Sequence, residues 1–417
     1  MASVTASYTT KYLIIGGGIA AASALETLVE ADPEAKGATT VITAEDRVPY
    51  HRPPLSKGYL IGEEKPQDLP VLPEDWYSQN GIDIMLRRKG RLIDPATRVC
   101  ELELNKSIKF EKALLVTGAS AKRWESYGRG LEGIYVLRTV QDSDRIRRAA
   151  EDWNQVAIIG SGFIAMELAS SLAQMDIRPT VITPDEKPWA SLGDPLISEF
   201  FYRYYEKRGV KFVLADPPAG FNGTGLANSV HTTGGFKIAC DGVIVAIGAK
   251  PNDWIARESR MRVDDGIVVD ETLATNIPKV WAAGDVANFP DVITKDRRRV
   301  AHWDNAKAQG AVAGRNLAGA GESFRHLSYF FSDVFDLSWE FFGSNQNPDR
   351  LVRRGDIQST SSATFFIRDG VVKGAFMMRR SAEETEAVKK LIENQVNVDG
   401  KDDLLADTRK ELASLLD

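Results

Sequence analysis

Residues Lys11–Glu30 read KYLIIGGGIAAASALETLVE: an apolar run, a turn of three glycines, then small and apolar residues at helical spacing. That order predicts a strand, a tight turn and a helix, the opening of a dinucleotide-binding unit. Gly16 permits the turn out of the strand, Gly18 lets the backbone approach a pyrophosphate, and Ala21 lets the helix pack closely on the strand. The amides of the helix start then face the phosphates. Residues Gln155–Met175, QVAIIGSGFIAMELASSLAQM, repeat the plan with Gly160 and Gly162. One fingerprint predicts a nucleotide site; two in one chain predict electrons passing between two dinucleotides. Each unit also offers an acid after its second strand to accept from a ribose hydroxyl, Glu45 in TTVITAED and Asp185 in PTVITPDE.

At 417 residues the chain exceeds the size at which a single core stops growing, so two or three domains are expected. With 43% hydrophobic and 26% charged residues it has the composition of an ordinary globular protein, and the net charge of -6 argues against a nucleic-acid partner. No apolar stretch reaches the length of a membrane span. The polar lead MASVTASYTT lacks a signal-peptide core and is expected to be disordered. The two cysteines, Cys100 and Cys240, are far apart and sit in strand-like runs, which predicts buried thiols rather than a redox dithiol. The four histidines, His51, His231, His302 and His326, show no metal-ligand spacing, so no metal is expected. Few cysteines and no leader predict a cytoplasmic location.

The chain divides into interleaved segments. Residues 1–122 form the first part of one nucleotide domain and end in KALLVTGAS, with Thr117 and Gly118 at the strand end. Residues 123–251 form the second nucleotide domain, closing with DGVIVAIGAKPN, which holds Gly248. Residues 252–320 return to the first domain through IPKVWAAGDVAN, delivering Gly284 and Asp285 at a strand's carboxyl end, where open sheets bind ligands. Residues 321–417 are rich in aromatic strands and then helical. The expected fold is therefore α/β, two doubly wound Rossmann-like domains with a carboxyl-terminal α+β domain.

These landmarks in this order resemble the flavoprotein reductases built on the glutathione-reductase plan. The resemblance implies that FAD lies in the split domain of the first fingerprint and that NADH, with NADPH as the alternative, lies in the second. It implies that Gly16, Gly18, Ala21, Glu45, Thr117, Gly118, Gly284 and Asp285 serve FAD. Gly160, Gly162, Phe163, Ile164, Asp185 and Gly248 fall to the nicotinamide site. No CxxxxC follows the first helix, which sets aside the disulfide reductases.

In its place stands VPYHRPPLSKGYL, Val48–Leu60, which resembles the signature of monodehydroascorbate reductases, apoptosis-inducing factors and oxygenase-type ferredoxin reductases. By that resemblance Lys57 lies beside the flavin and pairs with Glu167, the two catalytic candidates, and Arg52 contacts the flavin or its pyrophosphate. Phe163 corresponds to an aromatic that covers the flavin, and His302, in RRRVAHWDNA, would lie near the nicotinamide. A fixed ammonium at this place has a physical use: hydride arriving at the flavin leaves negative charge, which a nearby cation stabilises as it develops.

The carboxyl-terminal stretch SYFFSDVFDLSWEFFG resembles monodehydroascorbate reductase most, while its S-D is shared with ferredoxin reductases. Phe331, counted with the cofactor-binding residues, stands where that family has a substrate-contacting tyrosine, and Lys307 where it has an arginine. Phenylalanine donates no hydrogen bond and lysine lacks the planar fork. The expectation is an NADH-dependent FAD oxidoreductase, monomer or homodimer, with a small radical or quinone acceptor. The alternatives are a reductase for a small iron-sulfur protein, ferredoxin or rubredoxin, and a redox-responsive flavoprotein like the apoptosis-inducing factors.

Overall fold

The computed structural model describes residues 7–416, the side chain of Leu104 excepted. The chain forms two compact units, each assembled from three separate segments. One comprises residues up to His51, Gln67–Ser120 and Lys250–Ser328; the other comprises Arg52–Pro66, Ala121–Ala249 and the residues from Tyr329 onward.

In the first unit a parallel sheet runs through Ile82–Met85, Thr39–Ile42, Tyr8–Ile15 and Ser107–Leu115. The last strand is long enough to do two things. Its amino-terminal end pairs antiparallel with Val99–Leu102, and its carboxyl end pairs in parallel with Val280–Ala282, so the return segment joins the same sheet. The lead expected to be disordered partly belongs to this sheet: Tyr8, Thr9 and Thr10 pair with Ile108, Lys109 and Phe110. β-Branched threonines suit a strand, and polarity alone misjudged them. Residues 1–6 lie outside the described residues.

The helix Ile19–Ala31 packs on the helix Trp303–Ala318 through small residues. A Cβ on Gly310 would stand 2.3 Å from Ala20 O, and one on Gly314 2.3 Å from Ala24 O. Thr27 Oγ1 crosses the same seam to donate to Ala311 O at 2.8 Å. Residues 321–328, grouped with the aromatic strands in the sequence, pack in this unit instead, where Phe324 N donates to Glu271 O.

The second unit holds a five-stranded parallel sheet in the order Lys211–Val213, Arg178–Ile182, Gln155–Ile159, Gly242–Val245 and Ile134–Tyr135. A three-stranded antiparallel meander spans Pro218–Ala239. The residues from Tyr329 form an antiparallel sheet of five strands followed by the helix Ala382–Glu393. Trp189, Phe201, Trp339 and Phe376 form an aromatic core in this unit. The buried carboxylate of Asp194 fixes the antiparallel sheet there by accepting two bonds from the Arg353 guanidinium and one from Thr364.

Candidate active site

Both fingerprints are wired alike. Gly16 N donates to Ile42 O and Gly160 N to Ile182 O, each at 2.9 Å, the carbonyl at the end of the neighbouring strand. Gly16 has φ +127° and Gly160 φ +111°, conformations that favour glycine. A Cβ would stand 2.0 Å from Val116 O in the first and 2.5 Å from Ala246 O in the second, so a side chain is excluded twice over. Gly18, Gly162 and Gly248 differ in kind: a Cβ on any of them would meet nothing within 4 Å. Their missing side chains leave open space, as close approach by a ligand backbone requires.

The helices Ile19–Ala31 and Phe163–Gln174 start from Gly18 and Gly162 with no side-chain cap and no acid in the first turn. Their positive ends are therefore not neutralised locally and suit a phosphate. Ala21 and Ala165 are fully buried at the helix–sheet contact.

Around the first cradle, Glu45 is half-buried and its carboxylate accepts from Tyr50 Oη at 2.5 Å. Gly284 N donates to Gln309 Oε1 at 2.8 Å, and Asp285 is buried beside it. Asn252, the last residue of GAKPN, clamps the VTGA turn. It accepts from Thr117 Oγ1 at its carbonyl (2.7 Å), returns Nδ2 to Thr117 O (2.9 Å) and donates its own N–H to Gly118 O (2.9 Å). Its role was not read from the sequence, although the motif carrying it was. Glu45, the glycine cradle and the uncapped helix start fit an adenine dinucleotide such as FAD.

Around the second cradle, Asp185 Oδ2 accepts from Ser161 Oγ (2.5 Å) and Thr183 Oγ1 (3.0 Å), which fixes it beside the glycine turn. Lys187 is engaged elsewhere, 2.8 Å from Glu199 and over the Tyr202 ring. Ile164 and Ile247 are both exposed next to the open glycines, apolar surface suited to a nicotinamide or ribose face. Phe163 opens the helix half-buried, its ring 5.4 Å from Trp339 and 6.2 Å from Phe330. These residues fit NAD(P)H.

A third arrangement, within the second unit, gathers the charged candidates. Pro53 and Pro54 preset the backbone of a short 3-10 turn, Pro53–Ser56, that ends at Lys57. Ser143 Oγ and Ser171 Oγ tie it down by donating to Leu55 O and Ser56 O. Lys57 Nζ then stands 3.5 Å from Glu167 Oε1. Glu167 is buried, and both its oxygens accept hydroxyls, Oε2 from Ser56 at 2.5 Å and Oε1 from Ser332 at 2.7 Å. Burial pushes its carboxyl above the usual range; Lys57 and the two hydroxyls oppose that shift, and Asp333 adds to it. Lys57 also reaches Asp333 Oδ2 at 3.1 Å and lies 4.8 Å from the centre of the Phe331 ring. Ser56 was not singled out beforehand, and Ser332 and Asp333 only as the S-D shared with ferredoxin reductases; all three lie inside the quoted signatures.

Two other assignments take a more local form. Arg52 donates to Arg138 O at 2.6 Å within its own unit. His302 caps the helix Trp303–Ala318, its Nδ1 accepting from Asp304 N at 3.4 Å. His51, not selected earlier, has its ring 5.8 Å from Trp303, and burial and Lys307 lower its basicity. Cys100 and Cys240 are free and buried, one in each unit, with burial first and a neighbouring acid second pushing each thiol up to about 12. Neither is poised for thiolate chemistry. Among the described residues no group of His, Cys, Asp and Glu is arranged to hold a metal ion, and no helix is long and apolar enough to cross a membrane.

Comparison with known proteins agrees with this geometry. Residues 10–310 match the pyridine nucleotide-disulphide oxidoreductase family, and residues 327–410 match the carboxyl-terminal domain of monodehydroascorbate reductase 3-like proteins. The chain is 31% identical to monodehydroascorbate reductase of Pisum sativum, over 91% of this chain and 93% of that one. It is 30% identical to the ferredoxin–NAD(+) reductase component of a 3-phenylpropionate/cinnamic acid dioxygenase from Photorhabdus laumondii, over 93% and 97% of the two chains. Among solved structures, a ferredoxin reductase from Rhodopseudomonas palustris superposes with a TM-score of 0.91 at 26% identity, covering 97% of this chain and 99% of the other. Two glycine cradles with uncapped helices, without a redox disulfide, thus accompany a family match over most of the sequence: the chain belongs to the pyridine nucleotide-disulphide oxidoreductase family and is an FAD-dependent NAD(P)H oxidoreductase.

Proposed function

We propose that this oxidoreductase takes hydride from NADH and delivers electrons to a small radical or quinone acceptor. The match of residues 327–410 to a monodehydroascorbate reductase-type carboxyl-terminal domain carries the reading. The first unit is assigned to FAD, through Gly16, Gly18, Ala21, Glu45, Thr117, Gly118, Gly284 and Asp285. The second is assigned to NADH, through Gly160, Gly162, Phe163, Ile164, Asp185 and Gly248. Asp185 receives the adenosine ribose of NADH, and Lys187, paired with Glu199, offers little to a 2′-phosphate. When bound, FAD accepts an electron pair and releases electrons singly.

The side chains supply charge and orientation. Lys57 is the cation that stabilises negative charge on the reduced flavin. Glu167 offsets the cost of keeping Lys57 partly buried, and the Ser56 and Ser332 hydroxyls fix the Glu167 carboxylate so that the pair keeps one geometry. Arg52, His302 and Phe163 are assigned to the cofactors. Phe331 and Lys307 govern the acceptor. A ring without a hydroxyl and a cation without a fork recognise an enediolate less well than tyrosine and arginine, which favours a less polar acceptor such as a quinone.

A second reading, a reductase component for a small iron-sulfur protein, is favoured by Asp333 in the Ser332–Asp333 pair and by the likeness to the Photorhabdus laumondii reductase component. Stopped-flow mixing of NADH-reduced protein with monodehydroascorbate, quinones and [2Fe–2S] ferredoxins separates the two. Fastest reoxidation by a quinone or radical is expected. Faster reoxidation by a ferredoxin, falling steeply with salt, would replace the first reading by the second.

A further inference from the structure

We propose that Asp333 is a second counter-ion of Lys57, a positioning residue that takes up part of the ammonium's charge and thereby lowers the flavin's reduction potential. The inference rests on the reading that Lys57 serves the flavin. Its starting point is which carboxylate takes the lysine's hydrogen bond. Glu167 Oε1 is 3.5 Å from Nζ and already accepts from Ser332, whereas Asp333 Oδ2 is 3.1 Å away and accepts directly from the ammonium.

Asp333 is itself held in place. It sits opposite Ser338 in the hairpin of strands Tyr329–Val334 and Leu337–Gly343, and its Oδ1 accepts from Ser338 Oγ at 2.6 Å. Phe331, two residues back on the same face of the strand, lays its ring 4.8 Å from Nζ. The ammonium thus meets a buried acid, a half-exposed acid and an aromatic ring. With two carboxylates sharing it, the ammonium has less charge left to stabilise an anionic reduced flavin, and removing Asp333 frees it to do so. The Asp333 side chain is 51% exposed against 7% for Glu167, so salt screens its influence far more.

Dye-equilibrated titration of the FAD-bound protein measures the potential directly. Asp333→Asn is expected to move it to a more positive value at low ionic strength, with the shift shrinking in high salt, and Asp333→Glu to restore most of the original value. Ser338→Ala, which loosens Asp333 without removing its charge, is expected to shift it in the same direction by less. Lys57→Met is expected to move the potential negative, and adding Asp333→Asn to Lys57→Met to do little more. An unchanged potential in Lys57→Met would refute the role of Lys57 itself. A shift there combined with none in Asp333→Asn, or an equal Asp333→Asn shift with and without Lys57, would overturn the present inference alone.

Discussion

The carbonyl oxygen of Val116 occupies the place a side chain on Gly16 would need: a Cβ there would lie 2.0 Å from it, with the backbone at φ +127°. Two residues on, Gly18 faces open space. Gly16→Ala is therefore expected to cost several kcal/mol, about 1–3 for overpacking and about 1 or more for the backbone, and to reduce the yield of folded protein. Gly18→Ala should fold normally by circular dichroism yet retain little FAD. Equal FAD content in the Gly18 variant and the parent would show that its open space is not the pyrophosphate cradle.

The second unit gives the matching experiment for the other dinucleotide. Gly162→Ala should keep FAD and raise KM for NADH. Asp185→Ala should also raise KM for NADH, because the carboxylate fixed by Ser161 and Thr183 is lost. Lys187→Ala should leave the ratio of NADH to NADPH use unaltered, since Glu199 already holds that ammonium. A marked change in that ratio would make Lys187 the coenzyme selector.

Glu167 is held above the usual carboxylate range chiefly by burial. As pH rises from its ordinary value toward the raised one, the folded protein keeps a proton that the unfolded chain has lost. Stability contributed by this group therefore declines across that window, and below it there is no contribution. Glu167→Gln should flatten the decline in denaturant titrations at stepped pH. Glu167→Ala leaves the buried Ser56 and Ser332 hydroxyls without their acceptor, and a loss of about 2–3 kcal/mol is expected.

His51 shifts in the opposite direction, lowered first by burial and then by Lys307. Between its depressed value and its ordinary 6.5 the unfolded chain binds the proton and the folded one does not, so the stability contributed is lost as pH falls through that interval. Lys307→Met should raise the His51 midpoint in a proton NMR titration of the imidazole. No movement would leave burial as the sole cause.

Asn252→Ala removes the amide that donates to Thr117 O and accepts from Ser120 Oγ at 2.7 Å. With about 1 kcal/mol expected per hydrogen bond, a drop of about 2 kcal/mol and faster FAD release in dilution assays should follow. Unchanged release would separate the clamp from the cofactor site.

Much of this protein is written locally. Gly16 and Gly160 announce themselves because each turn must be made by the residue that also meets a neighbouring strand's carbonyl, and the apolar run before each belongs to a central parallel strand. The small residues Ala20, Ala24, Gly310 and Gly314 are legible too, but only as small; nothing in sequence says that they meet each other. Polarity misread Tyr8–Thr10, because strand pairing with Ile108–Phe110 is decided by a segment a hundred residues away.

The sequence by itself determined the two nucleotide-binding folds and the missing redox dithiol, since these depend on residue type and short spacing, while the resemblance of Val48–Leu60 to known signatures pointed to Lys57 and Glu167. Tertiary structure alone decided which groups surround the ammonium. Ser56, Glu167, Ser332 and Asp333 come from a turn, a helix and a strand separated by up to 277 positions, and hydrogen bonding and desolvation act over ångströms of space, whatever the separation along the chain.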